Sequence, residues 1–141
     1  MSAVLPVRRL DPAAALPTRA HVDDAGLDLY ALEDVTLPAG EGGVLRTGVA
    51  VAVPPGHVGM VCDRSSMARR GLKTAGGIID SGYRGEVGVV VWNLSRQAQP
   101  VKKGERIAQM LIVPIATPAP IDSADLGATA RGSGGFGSTG R

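Results

Sequence analysis

Alternating apolar and polar positions recur along this chain and predict β-strands. The pattern appears in five stretches, each bounded by glycine, proline, asparagine or aspartate. These stretches are residues 26–30, 43–53, 57–62, 85–94 and 106–115. A period of two residues is typical of strands, and several short strands at this spacing are typical of a β-barrel or β-sandwich. The pattern therefore predicts an all-β domain.

The last two of these stretches, 85–94 and 106–115, are almost continuously apolar. Strands of this kind are usually covered on both faces. A single small domain has one core, so the second face would need another cover, such as a partner subunit. We therefore expect an oligomer.

Only residues 66–70 have a helical pattern, with Ser65 or Ser66 as the N-cap and Gly71 as a left-handed stop. Arg64 comes directly before the two hydroxyls. A guanidinium, hydroxyls and free helical N–H groups together suit a phosphate. A serine before a short helix is more often only a cap, so both interpretations stay open from these residues alone.

The composition supports one small domain rich in turns. The chain has 141 residues, of which 20 are glycine and 10 are proline, and this disfavours a helix bundle. Cys62 is the only cysteine, so no internal disulfide forms, and the two histidines do not complete a zinc ligand set. Residues 1–17 contain no signal-peptide core or membrane span. These observations predict a cytoplasmic protein without membrane attachment.

The net charge of +2 lies entirely in the C-terminal segment. Residues 128–141 contain Arg131, Arg141 and no acidic residue, so residues 1–127 are neutral. A neutral body argues against direct nucleic-acid binding, which needs a basic face. The segment also has five glycines between Arg131 and Gly140, which predicts flexibility. The chain is thus expected to divide into a β-barrel domain, 1–127, and a flexible tail, 128–141.

The glycine-rich stretch 76–86 is interpreted as a tight hairpin that begins with Ile78 and Ile79. Gly76 and Gly77 would let another backbone approach closely. Main-chain groups of such a hairpin can hydrogen-bond a planar base. Asp80 follows at the bend, where a carboxylate could orient a water, although an aspartate in a turn is usually only a turn former.

Four aromatic residues divide into two pairs. Tyr30 and Trp92 lie in predicted strands, and we expect them in the core. Tyr83 and Phe136 lie between glycines, where each ring could contact a planar ligand or serve as a simple tether.

Five ordered motifs span residues 25–140. They are AGLDLYA at 25–31, DRSSMA at 63–68, GGIIDSGYRGE at 76–86, GERIAQM at 104–110 and RGSGGFGSTG at 131–140. With them the sequence resembles the homotrimeric-type dUTPases (deoxyuridine 5′-triphosphate nucleotidohydrolases). The third and fifth motifs are long and specific, whereas the first two would mean little alone.

The resemblance implies a jelly-roll-like β-barrel catalytic domain with one short helix, three copies around a threefold axis and active sites where subunits meet. The implied reaction converts dUTP and water to dUMP and pyrophosphate, which limits uracil incorporation into DNA and supplies dUMP for thymidylate synthesis. The tail 128–141 would close over the substrate.

The resemblance also implies residue roles. Asp80 would be the general base for water attack on the α-phosphorus, and Gln109 and Asp28 would belong to the polar network around phosphates, waters and metal. Mg²⁺ would be held by the substrate phosphates, without direct protein ligands but with Asp28 reaching it through water, which suits this ion. The implied substrate-binding residues are Arg64, Ser65, Ser66, Thr74, Gly77, Ile78, Ile79, Asp80, Tyr83, Gly88, Arg131 and Phe136.

Three positions depart from the family pattern. Asp63 stands where many members have proline, and its carboxylate either points away from the phosphate site or pairs with Arg64. Thr74 stands where bacterial relatives often have asparagine, and Leu27 replaces a frequent tyrosine.

Two other functions stay open. A dCTP deaminase shares this barrel but would need a general acid/base aimed at C4 of the base, and no such carboxylate is evident in the hairpin. A non-catalytic nucleotide-binding or protein-binding trimer would bind dUTP without turnover, and Asp80 would then have no purpose.

Overall fold

The computed structural model describes residues 4–140, and almost all of their regular structure is β. The strands are β1 (Val7–Arg9), β2 (Leu27–Tyr30), β3 (Val35–Leu37), β4 (Gly42–Arg46), β5 (Val49–Val51), β6 (His57–Cys62), β7 (Leu72–Ala75), β8 (Ile78–Ile79), β9 (Gly88–Asn93), β10 (Gln99–Val101) and β11 (Arg106–Pro114). One short helix, α1 (Ser65–Arg69), follows β6. Within residues 4–140, no helix has the length and apolar character that crossing a membrane requires.

The strands form two larger antiparallel sheets and two ribbons. The four-stranded sheet has the order β2-β11-β6-β8, and the three-stranded sheet has the order β4-β9-β7. The ribbons pair β1 with β5 and β3 with β10. The two sheets and two ribbons surround one core in an all-β, jelly-roll-like arrangement.

One hydrophobic core lies between the sheets. Alternation along the strands supplies it, since every second side chain of a strand points to the same face. The largest fully buried side chains are Leu29, Leu45, Leu72, Ile107, Met110, Val49, Val51, Val53, Val87, Val89, Val91 and Val101. Leu27, the residue that replaces a family tyrosine, is also buried in this core.

The predicted strand 43–53 is divided into two strands at Thr47 and Gly48. The Thr47 hydroxyl is buried and donates to the Val87 carbonyl at 2.6 Å. Gly48 has a positive φ of 72°, and a Cβ there would lie 2.9 Å from that of Ala14. A corner that needs glycine therefore interrupts the apolar pattern.

The helix is placed close to its predicted range, but its predicted cap is wrong. Arg64 occupies the N-cap position, no side chain caps the helix, and Ser65 is already its first residue. The carbonyl of Arg64 accepts from the amides of Met67 and Ala68, each at 3.0 Å. Neither serine hydroxyl is therefore used in capping. The left-handed stop is confirmed, since φ of Gly71 is 81°.

The predicted hairpin at 76–86 does not pair with itself. β8 pairs with β6, whereas the next strand, β9, pairs with β4 and β7 in the other sheet. The close approach is confirmed at Gly77, where a Cβ would lie 2.6 Å from the Val61 carbonyl oxygen, but nothing lies within 4 Å of a Cβ at Gly76. The chain therefore changes sheets in this segment.

The expectation that Trp92 is in the core is wrong. Its side chain is 47% exposed, while Val91 and Asn93 on either side of it are buried. Trp92 thus lies on the outer face of the three-stranded sheet, where its ring covers Gly42. Tyr30 is only half-buried.

Candidate active site

A cleft beside β2 and β11 brings together four of the predicted site residues. Asp28, Arg64, Ser65 and Gln109 line a hollow of about 350 Å³. The strand register explains part of this, because Gln109 lies opposite both Asp28 on β2 and Cys62 at the end of β6. The rest of the lining consists of Ala20, Asp24, Ala25, Gly26 and Arg106.

Asp28 is held by two arginines. Its Oδ1 lies 3.0 Å from Nε of Arg64, and its Oδ2 lies 3.6 Å from a terminal nitrogen of Arg106. The Asp28 side chain is only 14% exposed. The cleft lining contains two arginines and two aspartates, Asp28 and Asp24, so its formal charges balance. The guanidinium groups of Arg64 and Arg106 are donors of the kind that suits phosphate oxygens.

Gln109 is fixed by contacts on two sides. Its Nε2 donates to the main-chain carbonyl of Asp63 at 2.8 Å. On the other side, a Cβ added to Gly26 would lie 2.1 Å from Oε1 of Gln109 and 2.9 Å from its Cβ. Glycine at position 26 is therefore what leaves room for this side chain.

The carboxylate of Asp63 does not pair with Arg64. It accepts hydrogen bonds from β7 instead: from Nζ of Lys73 and from the amide and hydroxyl of Thr74, all at 2.7 Å. Partial burial acts to raise the pKa of Asp63, but the bonds from Lys73 and Thr74 outweigh it and hold that pKa below its usual value. Of the two expected arrangements, the pair with Arg64 is not the one formed, and the carboxylate is directed to β7.

A second group of predicted residues lies at β8, on the other edge of the sheet. Asp80 is exposed and takes part in none of the ion pairs found among residues 4–140. Tyr83 is 45% exposed. Its hydroxyl donates to the Glu86 carbonyl at 2.7 Å, and its ring lies over Gly85, where a Cβ would come within 2.5 Å of the hydroxyl oxygen.

The two groups are not adjacent within one chain. Gln109 pairs with Cys62, whereas Ile79, just before Asp80, pairs with Gly59 on the opposite side of β6. Three residues of strand correspond to about 10 Å, and two strand spacings add roughly another 10 Å across the sheet. A single copy therefore presents the cleft and, separately from it, the segment that contains Asp80 and Tyr83.

The C-terminal residues with predicted roles stand away from the sheets. The last main-chain hydrogen bond to the body runs from Ile115 to Gly56, and the residues from Pro114 to Gly140 are exposed except for two glycines. Arg131 donates only to Gly134, at 2.7 Å. The Phe136 ring is fully exposed and its φ is 52°. The last strand ends at Pro114, whereas the boundary at 127 stays a prediction. Arg141, the last residue of the predicted tail, lies outside the described residues.

The other predicted residues have local contacts. Thr74 is buried and its hydroxyl is bound to Asp63, Gly88 begins β9 beneath Val44, and the Ile78 side chain is exposed while that of Ile79 is buried. Ser66 accepts a 3.4 Å bond from Arg64. Their predicted contacts with substrate stay predictions.

Sequence reasoning assigned no role to Arg106 or Gly26. Both lie inside quoted motifs, GERIAQM and AGLDLYA, beside residues that were assigned roles. Position within the motif was the available signal, but only the register of β2 with β11 shows that these residues share one cleft.

No group of three or more histidine, cysteine, aspartate or glutamate side chains that could hold a metal occurs in the range 4–140. Asp28 and Asp24 are the two carboxylates at the cleft. This donor set fits Mg²⁺, which keeps most of its waters and binds through substrate phosphates plus one or two carboxylates.

Comparison with known proteins gives one consistent result. The dUTPase family model matches residues 13–140. The deoxyuridine 5′-triphosphate nucleotidohydrolases of Mycobacterium marinum and Mycobacterium tuberculosis are 49% and 48% identical, with 99% of this chain and 97% of theirs covered. A mutant dUTPase of Staphylococcus bacteriophage 80alpha with dUpNHpp is 32% identical, with a TM-score of 0.93 over 99% of this chain and all of that one.

A mutant dUTPase of Staphylococcus aureus phage phi11, described with a structural Mg(II) ion, has a TM-score of 0.81 at 30% identity, over 88% of this chain and 99% of that one. The family match covers most of the chain, and the curated relatives cover nearly all of it. This chain belongs to the dUTPase family.

Proposed function

We propose that this protein hydrolyses dUTP to dUMP and pyrophosphate, and so keeps uracil out of DNA and supplies dUMP for thymidylate synthesis. The observation that carries the proposal is the cleft in which Arg64, Asp28 and Gln109 converge, with Arg106 beside them. Its two guanidinium groups and the Ser65 hydroxyl are donors that suit phosphate oxygens. The bacteriophage 80alpha relative, whose structure contains dUpNHpp, supports this choice of substrate.

In the proposed reaction, a water oxygen bonds to the α-phosphorus while the bond to the bridging oxygen breaks and pyrophosphate leaves. Asp80 orients the water and accepts its proton. Its exposed carboxylate is available for this, since none of the ion pairs among residues 4–140 uses it. Arg64 stabilises charge that develops on the phosphates.

Mg²⁺ fits the same cleft, with the substrate phosphates as its main ligands and Asp28 reaching it through water. When bound, the ion neutralises phosphate charge. Asp28 already balances two arginines, so its carboxylate is positioned at the point where phosphates, metal and guanidinium groups would meet. The bacteriophage phi11 relative with its Mg(II) ion is consistent with use of this metal.

Tyr83 is proposed to select the deoxyribose. The ring packs over Gly85, and its hydroxyl donates a hydrogen bond to the Glu86 carbonyl. A sugar packed on this ring would have no space for a 2′-hydroxyl. The main chain from Gly77 to Ile79 would read uracil, and Phe136 would stack on it.

We also propose that three copies assemble and that each active site is shared. In one copy the cleft and the segment that contains Asp80 lie at different parts of the sheet, so a second copy would bring its Asp80 segment to each cleft. Exposed apolar side chains support such packing, among them Val44 and Ile78, each 62% exposed, and Trp92. The detached tail could then reach a site formed by the other copies.

The test of the reaction is pyrophosphate release in the presence of Mg²⁺ from dUTP, dCTP, dTTP and UTP. We expect turnover of dUTP far above the others. Ammonia release from dCTP would instead indicate a deaminase, and tight dUTP binding without pyrophosphate release would indicate a non-catalytic binder.

The test of the shared site is complementation. Asp80→Asn and Arg64→Gln proteins should each be nearly inactive trimers by analytical ultracentrifugation. After mixed refolding, about a quarter of the sites would combine an intact Asp80 with an intact Arg64 from different subunits. Activity that does not recover, although the subunits mix, would place both residues of a site in one chain.

A further inference from the structure

Asp63 connects the cleft to β7, the strand that precedes the Asp80 segment. Its side chain accepts three hydrogen bonds from β7, one from Lys73 and two from Thr74, all at 2.7 Å. Lys73 also donates to the Thr74 carbonyl at 3.0 Å. The carboxylate is therefore fully used in binding one short segment of β7.

The main chain of the same residue binds the other side. The Asp63 carbonyl accepts from Nε2 of Gln109 at 2.8 Å, and the next residue is Arg64, which pairs with Asp28. Because residue 63 lies between the end of β6 and the start of α1, its position fixes where both Gln109 and Arg64 are held.

A second connection lies two residues earlier. The amide of Val61 donates to the carbonyl of Gly77 at 2.7 Å, and there is no space for a Cβ on Gly77. Residues 61–63 and 74–77 are thus joined at two points. Of these, only the Asp63 side chain can be removed by substitution without touching the main chain.

The carboxylate is ionised in this environment. Lys73 supplies a positive charge to Oδ2, and Thr74 supplies two uncharged donors to Oδ1. Partial burial opposes ionisation, but these bonds prevail and keep the pKa of Asp63 low. The Asp63 side chain is 26% exposed and its partner Lys73 is 56% exposed, so the ammonium by itself contributes modestly and the two Thr74 bonds are needed for the geometry.

We propose that Asp63 is a positioning residue for this enzyme: its side chain anchors the β6–α1 junction to β7, and thereby holds Gln109 and Arg64 in the geometry that the reaction needs. The proposal rests on the proposed function of the cleft as the phosphate site. Asp63 itself contacts no reacting group. Its effect is on orientation, where displacements of about 1 Å can cost up to about 10²-fold in rate.

The kinetic experiment compares Asp63→Ala, Thr74→Val and the double variant at saturating dUTP and Mg²⁺. We expect kcat to fall about tenfold in Asp63→Ala with KM within about twofold of the parent, because orientation and not binding is lost. Thr74→Val should fall less, and the double variant should be no slower than Asp63→Ala, since both substitutions break the same connection.

Asp34→Ala is the matched control. Its carboxylate accepts one main-chain bond, from the amide of Lys103 at 2.7 Å, and lies on an exposed loop outside the cleft. It should keep the parent kcat. An equal loss of kcat in Asp34→Ala and Asp63→Ala, or parent kcat in Asp63→Ala, would overturn the proposal.

A second readout does not depend on turnover. The side-chain amide signals of Gln109, assigned by their loss in Gln109→Met, can be followed by NMR in deuterated full-length protein. In Asp63→Ala, or in Thr74→Val if the former does not fold, they should move toward the positions of a free glutamine amide, and in Asp34→Ala they should not move. Unchanged Gln109 signals would refute the positioning role even if dUTP is turned over, whereas shifted signals in a protein that never hydrolyses dUTP would refute only the proposed function.

Discussion

The predicted site residues fall into two groups that differ in how the fold holds them. The cleft group, Asp28, Arg64 and Gln109, is partly buried and joined by ion pairs and hydrogen bonds. The exposed group consists of Asp80, Tyr83 and Phe136, whose side chains have few or no contacts with the body. Tyr83 has the most, through its hydroxyl bond to the Glu86 carbonyl. The cleft group is thus preorganised by folding, whereas the body of the chain does much less to fix the side chains of the exposed group.

Because of this difference, substitutions in the two groups should affect folding stability and enzymatic activity differently. Substitutions in the exposed group should change turnover and leave folding almost untouched, because surface side chains without special contacts contribute little. Substitutions that disturb the cleft group should change both quantities, because the same contacts hold the strands and orient the substrate.

The largest effect is expected for Asp80→Asn. The amide keeps the shape of the carboxylate but cannot accept the proton from water, so kcat should fall by roughly 10³-fold. The melting temperature should stay within experimental error of the parent, since Asp80 is exposed. Calorimetry and steady-state kinetics on the same preparation measure both. Turnover near that of the parent would remove Asp80 from its role.

Removal of the tail, in a chain that ends at Ala130, should lower turnover by about 10²-fold. As far as Gly140, the tail hydrogen-bonds only to itself, so its loss should leave the melting temperature and the oligomeric state unchanged. Ordering its five glycines costs on the order of 1 kcal/mol per residue, which the body alone does not offset but a bound nucleotide could.

Hydrogen exchange gives the direct check on the tail. Its amides should be protected when a non-hydrolysable dUTP analogue is bound and unprotected without it. Equal protection in both states, or full turnover by the shortened chain, would mean that the tail is not a lid.

Gly26→Ala tests the cleft group and should lower kcat/KM by about tenfold. A Cβ at position 26 would overlap both Oε1 and Cβ of Gln109. Because the Cβ of Gln109 is fixed by the main chain, a change of rotamer alone cannot relieve the overlap. The melting temperature should fall as well, because β2 and β11 would be pushed apart. A Gln109→Ala background keeps the Cβ contact but removes the tighter contact with Oε1, so there the same substitution should cost less. Equal costs in both backgrounds would show that the Gln109 amide is not what Gly26 accommodates.

Tyr83 lies between the two groups, and Tyr83→Phe should have a smaller effect. The ring keeps its place over Gly85 but loses the bond to the Glu86 carbonyl, which loosens it. We expect the preference for dUTP over UTP, measured as the ratio of kcat/KM values, to fall severalfold while dUTP turnover changes little. Equal kcat/KM values for UTP and dUTP in the parent protein would refute the role of the ring as a sugar gate.

Strand periodicity predicted the long strands well but missed β1, β3, β7 and β10. β1, β3 and β10 have three residues each, too few for alternation to be recognised. The misplacement of Trp92 was avoidable, because Val89, Val91 and Asn93 share the buried face and the alternation puts residue 92 on the other.

The site was predictable as a set of residues but not as an arrangement. Asp28, Arg64 and Gln109 are far apart in sequence, and the motifs name them without saying that they share a cleft. The orientation of Asp63 depends on how β6 and β7 are placed by the two sheets. No local pattern around DRSSMA contains that information.

The smallest effect concerns the pH dependence of stability, again at the cleft. Lys73 and Thr74 hold the pKa of Asp63 below its usual value against the opposing effect of partial burial, so the unfolded chain binds a proton more readily than the folded one. The stability that this group contributes is therefore complete above its pKa in the unfolded chain, about 4, and is lost as pH falls through its pKa in the folded chain.

Compared with Asp63→Asn at equal protomer concentration, the parent should have a free energy of unfolding larger by about 1 kcal/mol at neutral pH, since the bonds involve a charged acceptor that is partly exposed. Urea unfolding at several pH values should show this gap narrowing below pH of about 4. A gap that widens in acid would mean that Asp63 is held in its protonated form, and that its ion pair with Lys73 does not form in solution.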